Sequence, residues 1–536
     1  MQKHAESRAK AADVFWDDPI THLSRLYAPV SLPGGGIAVA TADSSSANGA
    51  WLKARYGDAA ILECPPPLVQ SLIEKRFRDR FAKMAVSDLR EHEPQFSAST
   101  VITRPQIFAL LLIAAAIAFA SGWWAGAITD VICFLFAANN LFRALLFCIS
   151  SIGTPQKRIA ASSDEELPLY TILVPLYREA RVLPALVRAL CALDYPKDRL
   201  DIKLIVEADD DETARVADAA AIDPRFSIVR VPPGSPRTKP RACNYALPFA
   251  RGEFTVIFDA EDRPEPDQLR KAVAAFRALP SDVACLQARL NFYNANECWL
   301  TRMFALDYAL WFDYLLPGLD RLNIPMPLGG TSNHFRTSAL RAIHGWDPYN
   351  VTEDADLGIR LARQGLRVRV LDSTTFEEAT NSLGPWLRQR SRWIKGYMQT
   401  WLVHMRSPRA LLRNAGAAGF AGFQFFVAGA FLSALLNPVL WGFFVLSQFA
   451  APAPSDHAIA QASLFGLVLG NSLFAYLAVL SPARRRWFGL APYGLTAPFY
   501  WLLISCAGIR ALFQLCSRPW YWDKTPHGLS RTEGGA

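Results

Sequence analysis

The side chains best suited to chemistry fall into a few acidic, basic and aromatic clusters. Asp259 and Glu261 are one residue apart, directly after the apolar run 254–258. Two carboxylates at that spacing can share a hard divalent cation, Mg²⁺ or Mn²⁺, with phosphate oxygens. Such a cation neutralises charge gathering on a departing phosphate; an acidic turn closing a strand is the plainer alternative. Arg237, Lys239 and Arg241 precede that run and are spaced either to hold phosphate oxygens or to form a solvated basic loop. Thr352, Glu353 and Asp354 open an apolar helix. Asp354 is a candidate general base for an alcohol, although Thr352 and Glu353 also suit a helix start. In the run Gln389, Arg390, Ser391, Arg392, Trp393, positions 389, 392 and 393 share one helical face. Arg392 can pair with a diphosphate and Trp393 offers a flat surface for a sugar ring; a basic, aromatic helix beside a membrane is the alternative.

Larger elements must bring these clusters together. The 536 residues exceed one core and predict two or three domains. The hydrophobic share of 51% is concentrated in a few segments, which places the chain in the membrane class. A net charge of +8 suits an anionic leaflet, anionic nucleotides or the positive-inside bias alone. Nine cysteines without a C-x-x-C pair argue against a zinc ribbon or a disulfide framework. Cys133, Cys148 and Cys506 lie in apolar runs and read as small buried hydrophobes. The polar start, residues 1–7, does not read as a signal peptide.

Residues 1–98 form a small α+β cytoplasmic module, with a turn at Gly34, Gly35 and Gly36, a strand after it, and a basic amphipathic helix over 65–84. Two transmembrane helices follow within 105–150, joined near Trp123 and Trp124 and carrying Asn139, Asn140 and Arg143. Their basic flanks, Arg104, Lys157 and Arg158, place the module and the central domain together in the cytoplasm of a multi-pass inner-membrane protein. Residues 165–406 read as an α/β domain, with buried strands at 170–174, 201–206, 254–258 and 283–287 and a helix at 178–193. Alternation of strand and helix predicts a mostly parallel sheet with ligands at the strand carboxyl ends. Glu179, Glu207, Asp259 and Glu261 lie at those ends. Apolar segments return over 413–516, where Asn437 and Pro438 are predicted to break the first run into two spans, or into one span and an interfacial helix, for six membrane segments in all. A six-span path that returns the tail 517–536 to the cytoplasm places Arg484, Arg485 and Arg486 outside, against the charge rule.

The order of these motifs, with Tyr177 and Glu179 after the first strand, resembles the processive membrane-embedded family-2 glycosyltransferases, the cellulose, chitin and hyaluronan synthases. The likeness runs over 167–406 and more loosely over the flanking helices. It implies a GT-A-like, Rossmann-like domain beside a transmembrane bundle, and an inverting, metal-dependent transfer from an NDP-sugar such as UDP-glucose to a glycan. By that resemblance Tyr177, Glu179 and Glu207 hold the nucleoside, Lys239 and Asp259 the rest of the donor, and Asp259 with Glu261 the Mg²⁺ or Mn²⁺. Asp354 is then the base, and Thr352, Glu353, Gln389, Arg390, Arg392 and Trp393 surround the acceptor and diphosphate. Glu207 and Glu261 stand where the family has aspartates, and the 328–334 stretch lacks the cellulose-synthase form of the acceptor loop. The tail around Trp522, Lys524, Thr525, His527 and Gly528 resembles the gating segment that reaches over the donor. The N-terminal module resembles that of type II secretion ATPases, which brings cyclic diguanylate in as a regulator. Membrane lipid and export machinery are the other implied partners; nucleic acid is not. One sugar transferred to a lipid carrier, and a non-enzymatic receptor or transporter that kept the fold, are the alternatives.

Overall fold

The computed structural model describes residues 16–32, 36–43, 45–152, 163–447, 449, 456–525 and 528–530. The start of the chain, Gly34, Gly35, Lys157, Arg158, His527 and the side chains of Trp123 and Trp124 lie outside what it describes.

The N-terminal module is a three-stranded sheet, β1 (Tyr27–Ser31), β2 (Ile37–Thr41) and β3 (Ala60–Glu63), backed by the long helix Pro66–His92. That helix outruns its predicted end at 84 and kinks at Phe77. Its apolar face, Val69, Ile73, Phe81 and Ala85, packs into the same core as Leu173, Ile205, Tyr245 and Phe249 of the central domain. Gln70 donates to the Phe249 carbonyl at 2.8 Å and accepts from the buried Lys203 at 2.7 Å. The module is therefore a built-in wall of the central domain.

That domain carries β4 (Tyr170–Leu176), β5 (Leu200–Glu207), β6 (Phe226–Val231), β7 (Phe254–Ile257), β8 (Arg263–Pro264), β9 (Val283–Phe292), β10 (Asn333–Arg336) and β11 (Arg367–Glu377) in one eight-stranded sheet of order β6-β5-β4-β7-β10-β9-β11-β8. β6, β5, β4 and β7 are parallel, with fully buried Ile172, Val174, Ile202, Leu204 and Val256 supplying the continuous apolar character such strands need. β10 then pairs antiparallel with both β7 and β9. The sheet is mixed where a mostly parallel one was predicted, because Asn333, His334, Phe335 and Arg336 give β10 no apolar signal. His334 is nonetheless buried, held by the Tyr170 hydroxyl at 2.7 Å. The helix predicted from 178 begins at Leu183. Arg178 has φ 55°, a left-handed backbone that delays it.

Among the described residues, four apolar helical stretches are long enough to cross a membrane: Val131–Ser151, Pro408–Leu446, Leu464–Arg485 and Phe488–Ser517; Arg104–Ala120 is apolar but shorter. This differs from the predicted segments in three respects. Arg104–Ser151 is one unbroken helix, with no turn between its halves. Pro438 sits inside the helix Gly429–Ser447, and the interruption falls earlier, at Gly416 with φ 71°, which glycine adopts without a Cβ clash. The Ala497–Ser517 helix also lies along the central domain. Tyr500 near its start packs on Trp386, and Ala511 near its end packs with Met398, both on the helix Leu383–His404. Arg485 pairs with the buried Asp313 at 2.6 Å, so the basic turn at Arg484, Arg485 and Arg486 lies against the central domain, not on the side opposite it as the six-span path predicts. Cys133 is buried, whereas Cys148 and Cys506 are exposed on their helices, contrary to the buried reading.

Helix Leu383–His404 fits the rest of the domain through Gly396. A Cβ there would meet Thr352 Cγ2 at 2.5 Å, with Thr352 Oγ1 closer still. Gly396→Ala is expected to cost about 1–3 kcal/mol of stability through overpacking. A lowered melting temperature together with reduced turnover would register it, because the residue pushed aside adjoins Asp354.

Candidate active site

The strand ends of the parallel half open onto a cavity of 920 Å³. β4 delivers Tyr177 and Glu179, β5 delivers Glu207, and β7 delivers Asp259 and Glu261. Thr352, Glu353 and Asp354 reach the same cavity from the start of helix Glu353–Arg363. Gln389, Arg390, Arg392 and Trp393 reach it from helix Leu383–His404. The side chains assigned to the site in the sequence thus line one space, except Arg241, which is buried behind it and donates to the Gly234 and Pro232 carbonyls. On the membrane side the same space continues between Asn140, Arg143, Ser433, Asn437, Asn471, Phe474 and Trp501.

Negative charge is in excess here. Lys239 bonds Asp259 at 2.5 Å and the Gly330 carbonyl. Burial opposes its charge, but Asp259 and Glu353 more than offset that and hold it firmly protonated. Glu261 is pushed well above the ordinary carboxylate range by burial and by the charges of Asp259 and Glu179. Asp262 and Glu377 are raised in the same way, by burial and by the charge of their acidic neighbours. Asp262 also fixes the strand end: its Oδ2 accepts from the Asp259 amide at 2.7 Å and from the Thr331 hydroxyl. Its Oδ1 is buried with no hydrogen-bond partner. Asp259 and Glu261 line the cavity as hard oxygen donors of the kind a divalent cation takes, with the unsatisfied Asp262 oxygen buried behind them.

Asp354 is half-buried and accepts from the Ala355 amide at 2.8 Å. Its pKa is raised by burial, while Lys239 and Arg392 pull it back. Its Oδ2 lies 3.3 Å from where a Cβ on Gly330 would sit, so a side chain at 330 would crowd the carboxylate. Glu353 is buried and pushed up to about 8 by burial and by the Asp354 charge. Two adjacent carboxyls with separated pKa values are the arrangement in which one is ionised while the other keeps its proton.

Arg392 has a buried Nε without a hydrogen-bond partner, and its guanidinium lies 4.4 Å from the Trp522 ring. Burial lowers its pKa, against the pull of Glu353, Asp354 and Asp259. Arg390 instead braces the wall. It bonds Asp307 at 2.6 Å and the Tyr500 hydroxyl at 2.8 Å, and covers Trp393 at 4.8 Å. Trp393 also leans on Phe304 and Tyr308, which fixes its plane at the cavity edge. Gln389 is buried and accepts from Thr380 at 3.4 Å. Glu207 is buried, its pKa raised by burial against Arg241 at 3.7 Å. The Tyr177 hydroxyl accepts from Arg237 at 3.2 Å.

The tail closes over this site. Lys524 pairs with Glu179 at 2.8 Å and donates to the Tyr177 carbonyl. Asp523 pairs with Arg510 at 3.0 Å. Glu378 accepts from the amides of Gly528, Leu529 and Ser530. The buried Lys395, brought down to about 8 by burial and by Arg392, donates to the Tyr521 carbonyl at 2.9 Å. Glu377, Asp262, Glu378 and Lys395 were not predicted as functional; only the paired acids at 377 and 378, at the end of an alternating strand, offered a signal.

Residues 168–396 match the family described as "Glycosyltransferase like family 2". A beta-monoglucosyldiacylglycerol synthase of Synechocystis sp. is 27% identical over 383 residues, 69% of this chain and 77% of that protein. A probable glucomannan 4-beta-mannosyltransferase of Arabidopsis thaliana is 29% identical over 240 residues, 43% of each chain. The chain likewise spans 50% of a beta-monoglucosyldiacylglycerol synthase of Trichormus variabilis, at 29% identity. Among solved structures, the mannosyltransferase PcManGT from Pyrobaculum calidifontis, in complex with GDP-Man and Mn²⁺, superposes with a TM-score of 0.47 at 19% identity, covering 72% of this chain and 99% of that one. The segment 168–396 thus matches the family-2 glycosyltransferases on a GT-A-like fold, and the relatives it is similar to are hexosyltransferases.

Proposed function

We propose that the protein moves a hexose from a nucleoside-diphosphate sugar, UDP-glucose by preference, to the end of a growing β-glycan and passes the product into the membrane. The observation that carries this is the single cavity that joins Asp259, Asp354 and Trp393 to the polar intramembrane residues Asn140, Arg143, Asn437 and Asn471. Polar side chains at that depth are costly unless they face water or a polar substrate.

Tyr177, Glu179 and Glu207 hold the nucleoside, and Lys239 and Arg392 clasp the diphosphate through charge-assisted hydrogen bonds. Asp259 and Glu261 would hold Mg²⁺ or Mn²⁺, which when bound supplies counter-charge to the departing diphosphate. Trp393, with Gln389, Thr352 and Glu353, positions the acceptor sugar. Asp354 takes the proton of the acceptor hydroxyl as its oxygen attacks the anomeric carbon. The bond to the diphosphate breaks with its electron pair on the leaving group. One displacement turns an α-linked donor into a β-linked product. A cytoplasmic active site in an inner membrane is supported by the basic turn at Arg484, Arg485 and Arg486, which faces the central domain through Arg485 and Asp313. Cyclic diguanylate acting through the N-terminal module, and hand-over to export machinery, belong to the same proposal.

One sugar transferred to a lipid at the same mouth is the second reading. It is favoured by the similarity to the Synechocystis glucosyldiacylglycerol synthase, which covers 69% of the chain and so exceeds the catalytic segment. Incubation of the membrane-embedded enzyme with labelled UDP-sugars separates the two. Label in long, β-linked chains supports a polymerase; label confined to an organic-soluble monoglycosylated lipid replaces it with the second.

Asp354→Asn is expected to lower kcat by about 10²–10⁴-fold with donor binding retained; near-normal turnover would remove Asp354 as the base. The pH profile of kcat/KM follows from the two adjacent carboxyls, since it reports groups of the free enzyme. Asp354 works ionised and its pKa is raised, so activity should fall, as pH drops, at a value above that of an ordinary aspartate. Glu353 loses its proton near pH 8, which places a second inflection there. Glu353→Gln should erase that second inflection and leave the acid limb.

A further inference from the structure

Helix Pro66–His92 of the N-terminal module meets the central domain a second time, close to its C-terminal end. Asp88 and His92, one helical turn apart, lie there against His344, which comes from the loop that leads to Asp354. Asp88 stands between the two imidazoles: Oδ2 is 2.8 Å from His344 Nδ1, and Oδ1 is 3.1 Å from His92 Nδ1. The rings are stacked, with centroids 4.7 Å apart and planes 7° from parallel. One donor atom from each residue lies within 4.8 Å of the other two.

His344 holds this position at a cost. Its φ is 61°, and Gly345 follows at 62°. The left-handed backbone at the end of a helix is normally given to glycine or asparagine, and a residue with a larger side chain is strained there. The strained histidine is the one that closes the cluster with Asp88.

We infer that Asp88, His92 and His344 form a zinc site that fastens the N-terminal module to the loop carrying the catalytic base. Imidazole nitrogens with one carboxylate oxygen are a zinc donor set, completed by water on the open side. Tetrahedral bonds of about 2.0 Å put neighbouring donors roughly 3.3 Å apart. The imidazole–carboxylate separations of 2.8 and 3.1 Å are near that spacing, and binding one ion requires the stacked rings to turn until both planes contain it, which the exposed His92 side chain is free to do. Binding displaces imidazole protons that now point at Asp88; His92 Nδ1, also 2.9 Å from the Asp88 carbonyl, gives up that contact. Three residues beyond His344, Asp347 accepts from Ser97 and the Ala98 amide, just after the same helix. The ion would thus close the outer side of a junction whose inner side is already hydrogen-bonded.

The test uses the full chain in detergent, stripped with a chelator and titrated with ZnSO₄ against a chromogenic chelator. Excess MgCl₂ fills oxygen-only sites. One equivalent of zinc should bind with a dissociation constant on the order of micromolar or tighter and raise the melting temperature. His92→Ala, at an exposed helical position, and His344→Asn, which tolerates the left-handed backbone, should each weaken binding by at least about ten-fold and abolish the thermal shift. Asp259→Asn should retain the equivalent. No zinc equivalent in the wild type, equal binding in both histidine variants, or loss of binding in Asp259→Asn would each overturn the assignment; the cluster would then be only a hydrogen-bonded clasp.

Discussion

The site depends on an unequal balance of charge. Asp259, Glu261, Glu353, Asp354 and Glu377 converge on a space that Lys239 and Arg392 share, with Asp262 buried directly behind Asp259. Burial and mutual repulsion hold several of these carboxyls above their usual pKa, so the site as it stands keeps protons that a cation would replace. A diphosphate alone would worsen that repulsion. Under the proposed function a metal would offset the acids while Lys239 and Arg392 would meet the phosphate, so donor and cation would suit this cavity together rather than separately.

Helix Leu383–His404 makes that balance possible because its separate faces serve the core, the cavity and the tail. Trp386 is buried against the domain core, Arg392 and Trp393 enter the cavity, and Lys395 and Gln399 hold the backbone of the tail at Tyr521 and Pro519. The absence of a side chain at Gly396 lets the helix approach Thr352. Below it, Asp356 is fully buried between Arg360 at 2.8 Å and His404 at 3.1 Å, which ties the start of the Asp354 helix to the far end of the same element. Breaking such a buried pair typically costs about 3–5 kcal/mol, so the spacing between Asp354 and Arg392 is firmly set.

Much of this was legible in the sequence because the donor-side residues follow strands that are continuously apolar. Residues 170–174 and 201–206 could hardly be anything but buried strands, and the acids after them had to lie on one edge. β10 was invisible, since Asn333 and His334 are buried polar residues satisfied only by tertiary partners. β11 could have been found: Arg367, Val368, Arg369 and Val370 alternate as a half-exposed strand does. Missing it concealed Glu377 and Glu378 at its end. The helix boundaries in the membrane region failed for another reason. Composition marks Pro438 and the Gly122 to Gly126 stretch as breakers, but the helical backbone runs through both.

The tail shows why local signals give out where partners are distant. Its residues Trp522, Asp523 and Lys524 have no periodicity, yet each meets a charged or aromatic group more than ten residues away: Arg392, Arg510 and Glu179. Lys524 bonds the Tyr177 carbonyl and the Glu179 carboxylate, two groups at the end of β4 that border the donor space. Any ligand that claims Glu179 must first separate it from Lys524. The tail is thus tied to the rim of the cavity by that ion pair, while Glu378 and Lys395 hold the segment on either side of it.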